Sequence, residues 1–349
     1  MTILKTMDAQ EKYDIISRNL QEVVGEEKVK EILKERDMKI YWGTAPTGKP
    51  HLGYLVPMYK IADFLRAGAH VKILFADLHA YLDNMKSTWD LLEKRTKYYE
   101  FIIKEMLKLI GVPLEKLEFV RGSEFQLDKD YNLDMYRLSA MVTTRDTQRA
   151  GAEVVKQIET PKMSGLLYPI LQALDEVYLD VDAQFGGMDQ RKIFMMAREF
   201  LPKAGYDKRA HLLNPIVPGL GEGGKMSSSD PNSKIEFTDS DKSIRKKIGK
   251  AYCADGEVEG NGLLAILQYV IFRKLEDEGR QLNIERPEKY GGPISFSNYE
   301  ELEKAFKEKS LSSIDLKQGL SDELVSLISP LRDAIEKNRN IMDDAYPEG

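Results

Sequence analysis

The chain has 349 residues, 42% hydrophobic and 31% charged, with a formal net charge of −6. This composition fits a folded chain of up to two domains and excludes a disordered or collagen-like one. It also excludes an intramolecular disulfide, because Cys253 is the single cysteine, and nucleic-acid binding driven by global charge alone.

In chain order, charged residues with spaced apolar ones predict a helix over residues 8–36. Residues 1–13 lack the apolar centre of a secretory signal, and no apolar run is long enough to span a bilayer. A cytoplasmic compartment and no membrane partner are expected. Residues 38–42 read as the first strand, followed by Pro46-Thr47-Gly48-Lys49-Pro50-His51-Leu52-Gly53-Tyr54. Pro57 lacks an N–H and suits a first helical turn. The next helix, residues 58–67, therefore has its regular part after Val56, with His51 and Gly53 in the turn leading in.

Further apolar runs at 71–76, 117–120, 177–185 and 212–217 alternate with helical patterns at 91–109, 134–140 and 191–201. Such alternation predicts βαβ units, and so an α/β fold with a Rossmann-like, doubly wound parallel sheet. Its ligands would lie beyond the carboxyl ends of the strands. No G-x-G-x-x-G follows the first strand, which disfavours a dehydrogenase-type nucleotide site. Asp230-Pro231-Asn232-Ser233 is a turn cluster, and beyond Asp239 helices are expected at 243–252, 263–276, 299–307 and 321–338. A first domain over 1–238 and a mainly helical second one over 239–349 follow.

A second glycine-flanked segment, Gly223-Gly224-Lys225-Met226-Ser227-Ser228-Ser229, complements the first. Alone, each is an ordinary loop. Together and in this order they resemble the HIGH and KMSKS signatures of class I aminoacyl-tRNA synthetases. That resemblance implies a site for ATP made of Pro46, Gly48, His51, Gly53, Lys225, Met226 and Ser227. His51, Lys225, Ser227 and Ser229 would be catalytic, through donors and charge placed on the phosphates. Mg²⁺ would arrive with ATP, with no dedicated protein metal cage. Two positions depart from the signatures: Tyr54 stands for the last histidine and Ser228 for the second lysine. Both departures occur in the eukaryotic tyrosyl branch.

The stretch Ser164 to Asp175 contains Tyr168, Gln172 and Asp175 at spacings that share one helical face. Pro169 suits that helix's first turn. A solvated helix edge is the bland alternative. With Tyr41, residues 76–84, 150–157 and 182–193, these segments resemble the tyrosyl-tRNA synthetase family of archaeal and eukaryotic cytosolic type. By that resemblance Tyr41 and Asp175 hydrogen-bond a phenol, Tyr168, Gln172 and Gln190 surround the amino acid's head group, and Asp77 supports the pocket. The implied partners are L-tyrosine, tRNA(Tyr) and a second copy of the chain, joined through residues 123–157. The same resemblance implies an anticodon-binding role for the second domain.

Arg191 and Lys192 would approach the acceptor stem, and Tyr290 and Asp315 the anticodon. Without the family, the first two are an exposed basic pair, Tyr290 a packed loop residue and Asp315 a helix cap. The basic run Lys242, Arg245, Lys246, Lys247 and Lys250 reads by default as a solvated helix face, with phosphate contact or a nuclear signal left open. A tryptophanyl relative and a catalytically silent paralogue are the competing readings. An indole N–H only donates, and so has no need of the Tyr41–Asp175 pair.

Overall fold

A computed structural model describes residues 7–83, 87–155, 162–222, 226 and 233–347. In chain order it contains α1 (Ala9–Ser17), β1 (Glu22–Val24), α2 (Glu26–Glu35), β2 (Lys39–Thr44), α3 (Leu55–Arg66), β3 (His70–Phe75), α4 (Asp77–Leu82) and α5 (Trp89–Ile110). There follow β4 (Leu117–Arg121), α6 (Lys129–Ser139), α7 (Thr144–Gly151), α8 (Met163–Tyr178), β5 (Ala183–Gly187), α9 (Arg191–Phe200) and β6 (Ala210–Asn214). The rest is mostly helical: α10 (Asp241–Lys250), α11 (Gly262–Ile266), α12 (Phe272–Glu278), the hairpin β7 (Leu282–Ile284) and β8 (Ile294–Phe296), α13 (Tyr299–Lys307), α14 (Ser313–Lys337) and α15 (Arg339–Ala345).

The six-stranded sheet has the order β1-β6-β5-β2-β3-β4. Every pairing in it is parallel except that of β1 with β6. The chain winds outward from β2 to β3 and β4 on one side, then returns to β5 and β6 on the other. This is the doubly wound arrangement expected, with its switch point between β2 and β5. The strands place Lys72, Tyr41, Gln184 and His211 in one row across the sheet.

The single helix expected over residues 8–36 is two helices with a strand between them. A capping box of Asp8 and Glu11 starts α1, and the chain leaves the helical path at Asn19 (φ 60°) and Gly25 (φ 87°). Asn and Gly tolerate that left-handed conformation. The break frees Glu22–Val24 to pair with β6.

The strand expected from Val177 is likewise corrected. Val177 and Tyr178 end α8, the chain turns at Asp180 (φ 50°), and β5 starts at Ala183. A short apolar run does not distinguish a helix end from a strand. Pro169 is not in the first turn of α8 either, since the helix starts six residues before it at Met163. Its missing N–H forfeits one helical hydrogen bond. The ring packs instead against α7, where a Cβ on Gly151 would lie 3.3 Å from Pro169 Cγ.

Apolar residues of α3, α5, α11 and α14, among them Phe64, Leu107, Leu264 and Leu324, belong to one buried cluster. A π-helical turn, Leu267–Ile271, joins α11 to α12. Arg273 of α12 reaches the buried Asp63 of α3 at 2.9 Å.

Candidate active site

At the switch point the carboxyl ends of β2 and β5 open into a cavity of about 370 Å³, lined among others by Tyr41, Tyr168, Gln172, Asp175 and Gln190. The helical spacing of α8 thus does place Tyr168, Gln172 and Asp175 on the cavity wall. Gln172 Nε2 donates to Gln190 Oε1 at 2.9 Å, and the Tyr41 hydroxyl donates to the Gln172 carbonyl at 3.3 Å.

Asp175 is 1% exposed. Its Oδ1 accepts from Gln126 Nε2 at 2.7 Å and from the Tyr131 hydroxyl at 2.9 Å. Among the described residues its Oδ2 is buried without a hydrogen-bond partner, with His79 Nε2 3.8 Å away. Burial pushes the Asp175 carboxyl up to about 7, against the lowering effect of the Gln126 and Tyr131 hydrogen bonds. Burial also raises the Tyr41 phenol, with the charges of Asp175 and Glu176 adding to it. An unpartnered carboxylate oxygen in an enclosed cavity is a place for a ligand donor.

Asp77 does not line the cavity. Its Oδ1 accepts from the backbone of Leu78 and Ser123, and its Oδ2 from the Ser123 hydroxyl, so it ties α4 to the turn before α6.

A second cavity of about 200 Å³ is lined by His51, Gly53, Asn214 and Met226, and shares Trp42, Tyr54, Phe185, Gly186 and Gly187 with the first. His51 caps the 3₁₀ turn Leu52–Tyr54, its Nδ1 accepting from the Gly53 N–H at 3.2 Å. That bond leaves Nε2 as the protonated, donating nitrogen of the neutral ring. Burial, aided by Lys234, lowers the His51 pKa to about 4. A Cβ on Gly53 would lie 3.0 Å from His51 Cε1, so glycine is what lets the ring sit there.

Neither Pro46 nor Gly48 lines these cavities; Thr44, Ala45 and Thr47 do. The Gly48 carbonyl accepts from the Tyr99 hydroxyl at 2.5 Å, which fixes the loop from below. Lys225, Ser227 and Ser229 lie outside the described residues.

Arg191 and Lys192 begin α9 and line a third groove with Arg149 and Asp146. Each forms an ion pair at 2.6 Å, with Glu22 and Glu153 respectively. Tyr290 is 63% exposed, with the Lys289 ammonium 4.8 Å from its ring centre. The helix expected from Ser321 starts at Ser313. Asp315 is therefore in its first turn, and the cap is Ser312, whose hydroxyl donates to Asp315 Oδ2 at 2.9 Å.

The sequence reading missed Gln126 and Tyr131, which hold Asp175, and Tyr99 beneath the loop. No local pattern marks them. His79 stood within a recognised segment, and its edge-on contact with Tyr168, 4.6 Å between ring centres, emerges only from the fold.

The sequence pattern of the tRNA synthetases class I (W and Y) matches residues 33–329. The chain belongs to this family. Among members of the W and Y family, it is 56% identical over 340 residues to the cytoplasmic tyrosine–tRNA ligase of Danio rerio, covering 97% of this chain and 63% of that protein. The chain thus spans just under two thirds of that relative's length. It is 52% identical over 349 residues to the cytoplasmic tyrosine–tRNA ligase of Saccharomyces cerevisiae, covering 98% of this chain and 89% of that protein. The crystal structure of the Archaeoglobus fulgidus tyrosyl-tRNA synthetase complexed with L-tyrosine superposes with a TM-score of 0.86 at 36% identity, over 94% of this chain and 100% of that one.

Proposed function

We propose that this class I family member is a cytoplasmic tyrosine–tRNA ligase, which activates L-tyrosine with ATP and transfers the tyrosyl group to the 3′ end of tRNA(Tyr). The observation that carries the reading is the unpartnered Oδ2 of Asp175 in the cavity that Tyr41 also lines. A phenolic hydroxyl both donates and accepts, and so satisfies the carboxylate and the tyrosine hydroxyl together. Phenylalanine would leave the carboxylate oxygen unpaired, a kind of mismatch that tyrosyl enzymes are known to exploit for roughly 10⁵ in selectivity.

Tyrosine's carboxylate then points toward the second cavity. One of its oxygens attacks the α-phosphorus of ATP, the bond to the bridging oxygen breaks, and pyrophosphate leaves with that electron pair. His51 Nε2–H donates to a phosphate oxygen, and Gly53 permits close approach. Lys225, Ser227 and Ser229 are assigned to the departing pyrophosphate. In the second step a ribose hydroxyl of tRNA attacks the tyrosyl carbonyl and AMP leaves. Mg²⁺ is assigned to the phosphates of ATP, with which it would arrive.

Residues 1–238 are assigned to catalysis and 239–349 to anticodon binding. Arg191 and Lys192 are assigned to the acceptor stem, and Tyr290 and Asp315 to the anticodon. Exposed Tyr290 suits base stacking. A homodimer through residues 123–157 is supported by the exposure of Leu127, Leu133, Tyr136 and Met141.

Pyrophosphate exchange into ATP, with each of the twenty amino acids offered separately, tests the reading. Exchange with tyrosine alone is expected. Exchange with tryptophan instead overturns the pocket assignment, and no exchange despite bound tyrosine overturns the catalytic one.

A further inference from the structure

Behind the first cavity lies a second buried polar group that the proposed reaction does not use. Glu176 and His211 are both 0% exposed, and His211 Nε2 stands 2.6 Å from Glu176 Oε1. Phe194 stacks on the imidazole, 4.7 Å between centres and 25° between planes. A polar pair enclosed in a core costs desolvation, and apolar residues would fill the same space at least as well. Its presence therefore calls for a role.

Two routes join this pair to the cavity. Along α8, Glu176 directly follows Asp175. Across the sheet, His211 is in register with Gln184, and Gln184 with Tyr41. Gln184 itself lines the cavity. Among the described residues, Glu176 Oε2, His211 Nδ1 and Gln184 Oε1 are all buried without hydrogen-bond partners, so the network is not closed on itself.

We propose that Glu176, held by His211, is a positioning residue that sets the charge state in which Asp175 meets the phenol of tyrosine. This rests on the functional reading above. The hydrogen bond from tyrosine's hydroxyl to Asp175 Oδ2 is charge-assisted, and so at its strongest, when the carboxyl is ionised. The titratable groups around Asp175 are Tyr41 on β2, Asp77 and His79 on α4, Tyr131 on α6, and Tyr168 and Glu176 on α8. Of these, Asp77 and Glu176 oppose its ionisation by their charge. Asp77 is engaged by three donors from Leu78 and Ser123, whereas Glu176 is held through Oε1 by His211.

The test is tyrosine binding by calorimetry on the full chain, without ATP, from pH 5.5 to 9. Affinity of the native protein should fall as pH drops through the Asp175 titration. Glu176→Gln keeps the shape and still accepts from His211, but removes the charge. It should move that fall about one pH unit lower, since one unit charge at such range is worth at least that much. His211→Leu removes the donor and should move it the same way, whereas His211→Gln, which can still donate, should restore the native midpoint. ATP affinity should change less than twofold in all three. A folded Glu176→Gln with the native midpoint overturns the proposal; if that variant does not fold, the same result in His211→Leu does. A native protein that binds no tyrosine overturns the functional reading itself, which separates the two failures.

Discussion

The Tyr131 hydroxyl donates to Asp175 Oδ1 at 2.9 Å, and with Gln126 it leaves Oδ2 as the unpartnered oxygen of that carboxylate. The Leu171 carbonyl lies 2.9 Å from the same hydroxyl and shares its single proton, so α6 grips α8 one turn before the acid. Tyr131→Phe keeps the ring and its packing against Tyr178 but removes this donor. A hydrogen bond to a charged group is worth about 1.5–3 kcal/mol. Loss of it disfavours the ionised form of Asp175, and tyrosine should bind about tenfold more weakly at pH 7, with ATP affinity unchanged. Equal weakening for both ligands in a calorimetric titration would contradict this positioning role.

Asp175 should also trade stability for selectivity. Its carboxyl is raised to about 7 in the fold, chiefly by burial, from an ordinary value near 3.8. The unfolded chain therefore releases this proton first. The acid's contribution to stability is complete below about pH 3.8 and is lost as pH rises to about 7. Across that window the loss is about 4 kcal/mol. Asp175→Asn removes the penalty and can still accept from Tyr131. Its Tm should exceed the native value at pH 8 and match it near pH 4, while tyrosine-dependent exchange falls at least a hundredfold. A lower Tm at pH 8 in scanning calorimetry would count against the penalty.

How much of this site was legible in the sequence depends on how far apart the cooperating residues lie. Tyr168, Gln172 and Asp175 were legible because one helical period brings them to one face. His51 and Gly53 were legible because two residues separate ring nitrogen and backbone donor. Gln126 and Tyr131 lie 49 and 44 residues from Asp175, and only the packing of α6 on α8 joins them. The parallel sheet followed from alternating patterns, but β1 did not, because its three residues adopt strand geometry only through pairing with β6. Pro169 misled for a related reason: packing against Gly151 stabilises a proline that local propensity would place at the helix start.

Gly53 is predicted to be intolerant of any side chain. A Cβ there would lie 3.0 Å from His51 Cε1, 3.2 Å from its Nδ1 and 3.5 Å from Met226 Sδ. Gly53→Ala must therefore displace the imidazole and weaken the bond that fixes its tautomer. Removing a positioned donor to a developing charge costs about 10²–10³ in kcat, and displacing one should cost about tenfold or more. The exchange rate at saturating tyrosine should fall by that factor with little change in KM for tyrosine. With its pKa lowered to about 4 by burial, His51 stays neutral from pH 6 to 8, so neither protein's rate should titrate through this ring there. For stability the sign is the reverse of that for Asp175. The unfolded imidazole takes up a proton below about 6.5, so this group costs stability as pH falls from there toward 4.

Asp63 should be the position whose loss most weakens the hold between the sheet and the C-terminal helices. It accepts from Arg18 Nε at 3.0 Å, Lys60 Nζ at 3.2 Å and Arg273 Nη2 at 2.9 Å. Those cations come from the end of α1, from α3 and from α12. Burial opposes ionisation of Asp63, yet the Arg18 hydrogen bond and the Lys60 and Arg273 charges together hold its pKa below the ordinary value. Its stabilising effect is therefore present above the unfolded carboxyl's pKa, and is lost as pH falls through the lower folded one. Asp63→Asn leaves Lys60, with its side chain 3% exposed, without its counter-charge among the described residues, and leaves Arg273, 6% exposed, with Glu276 alone. Breaking a buried pair in this way costs about 3–5 kcal/mol. Chemical denaturation at pH 7 should show a loss of that size, shrinking below about pH 3.9, where the unfolded chain's carboxyl begins to take up a proton, and vanishing as pH falls through the lower folded value. The double variant Asp63→Asn, Arg273→Met should recover part of it, because it removes one of the buried cations along with the acid. Failure of the second change to recover any stability would show that the Asp63–Arg273 contact does not couple α3 to α12.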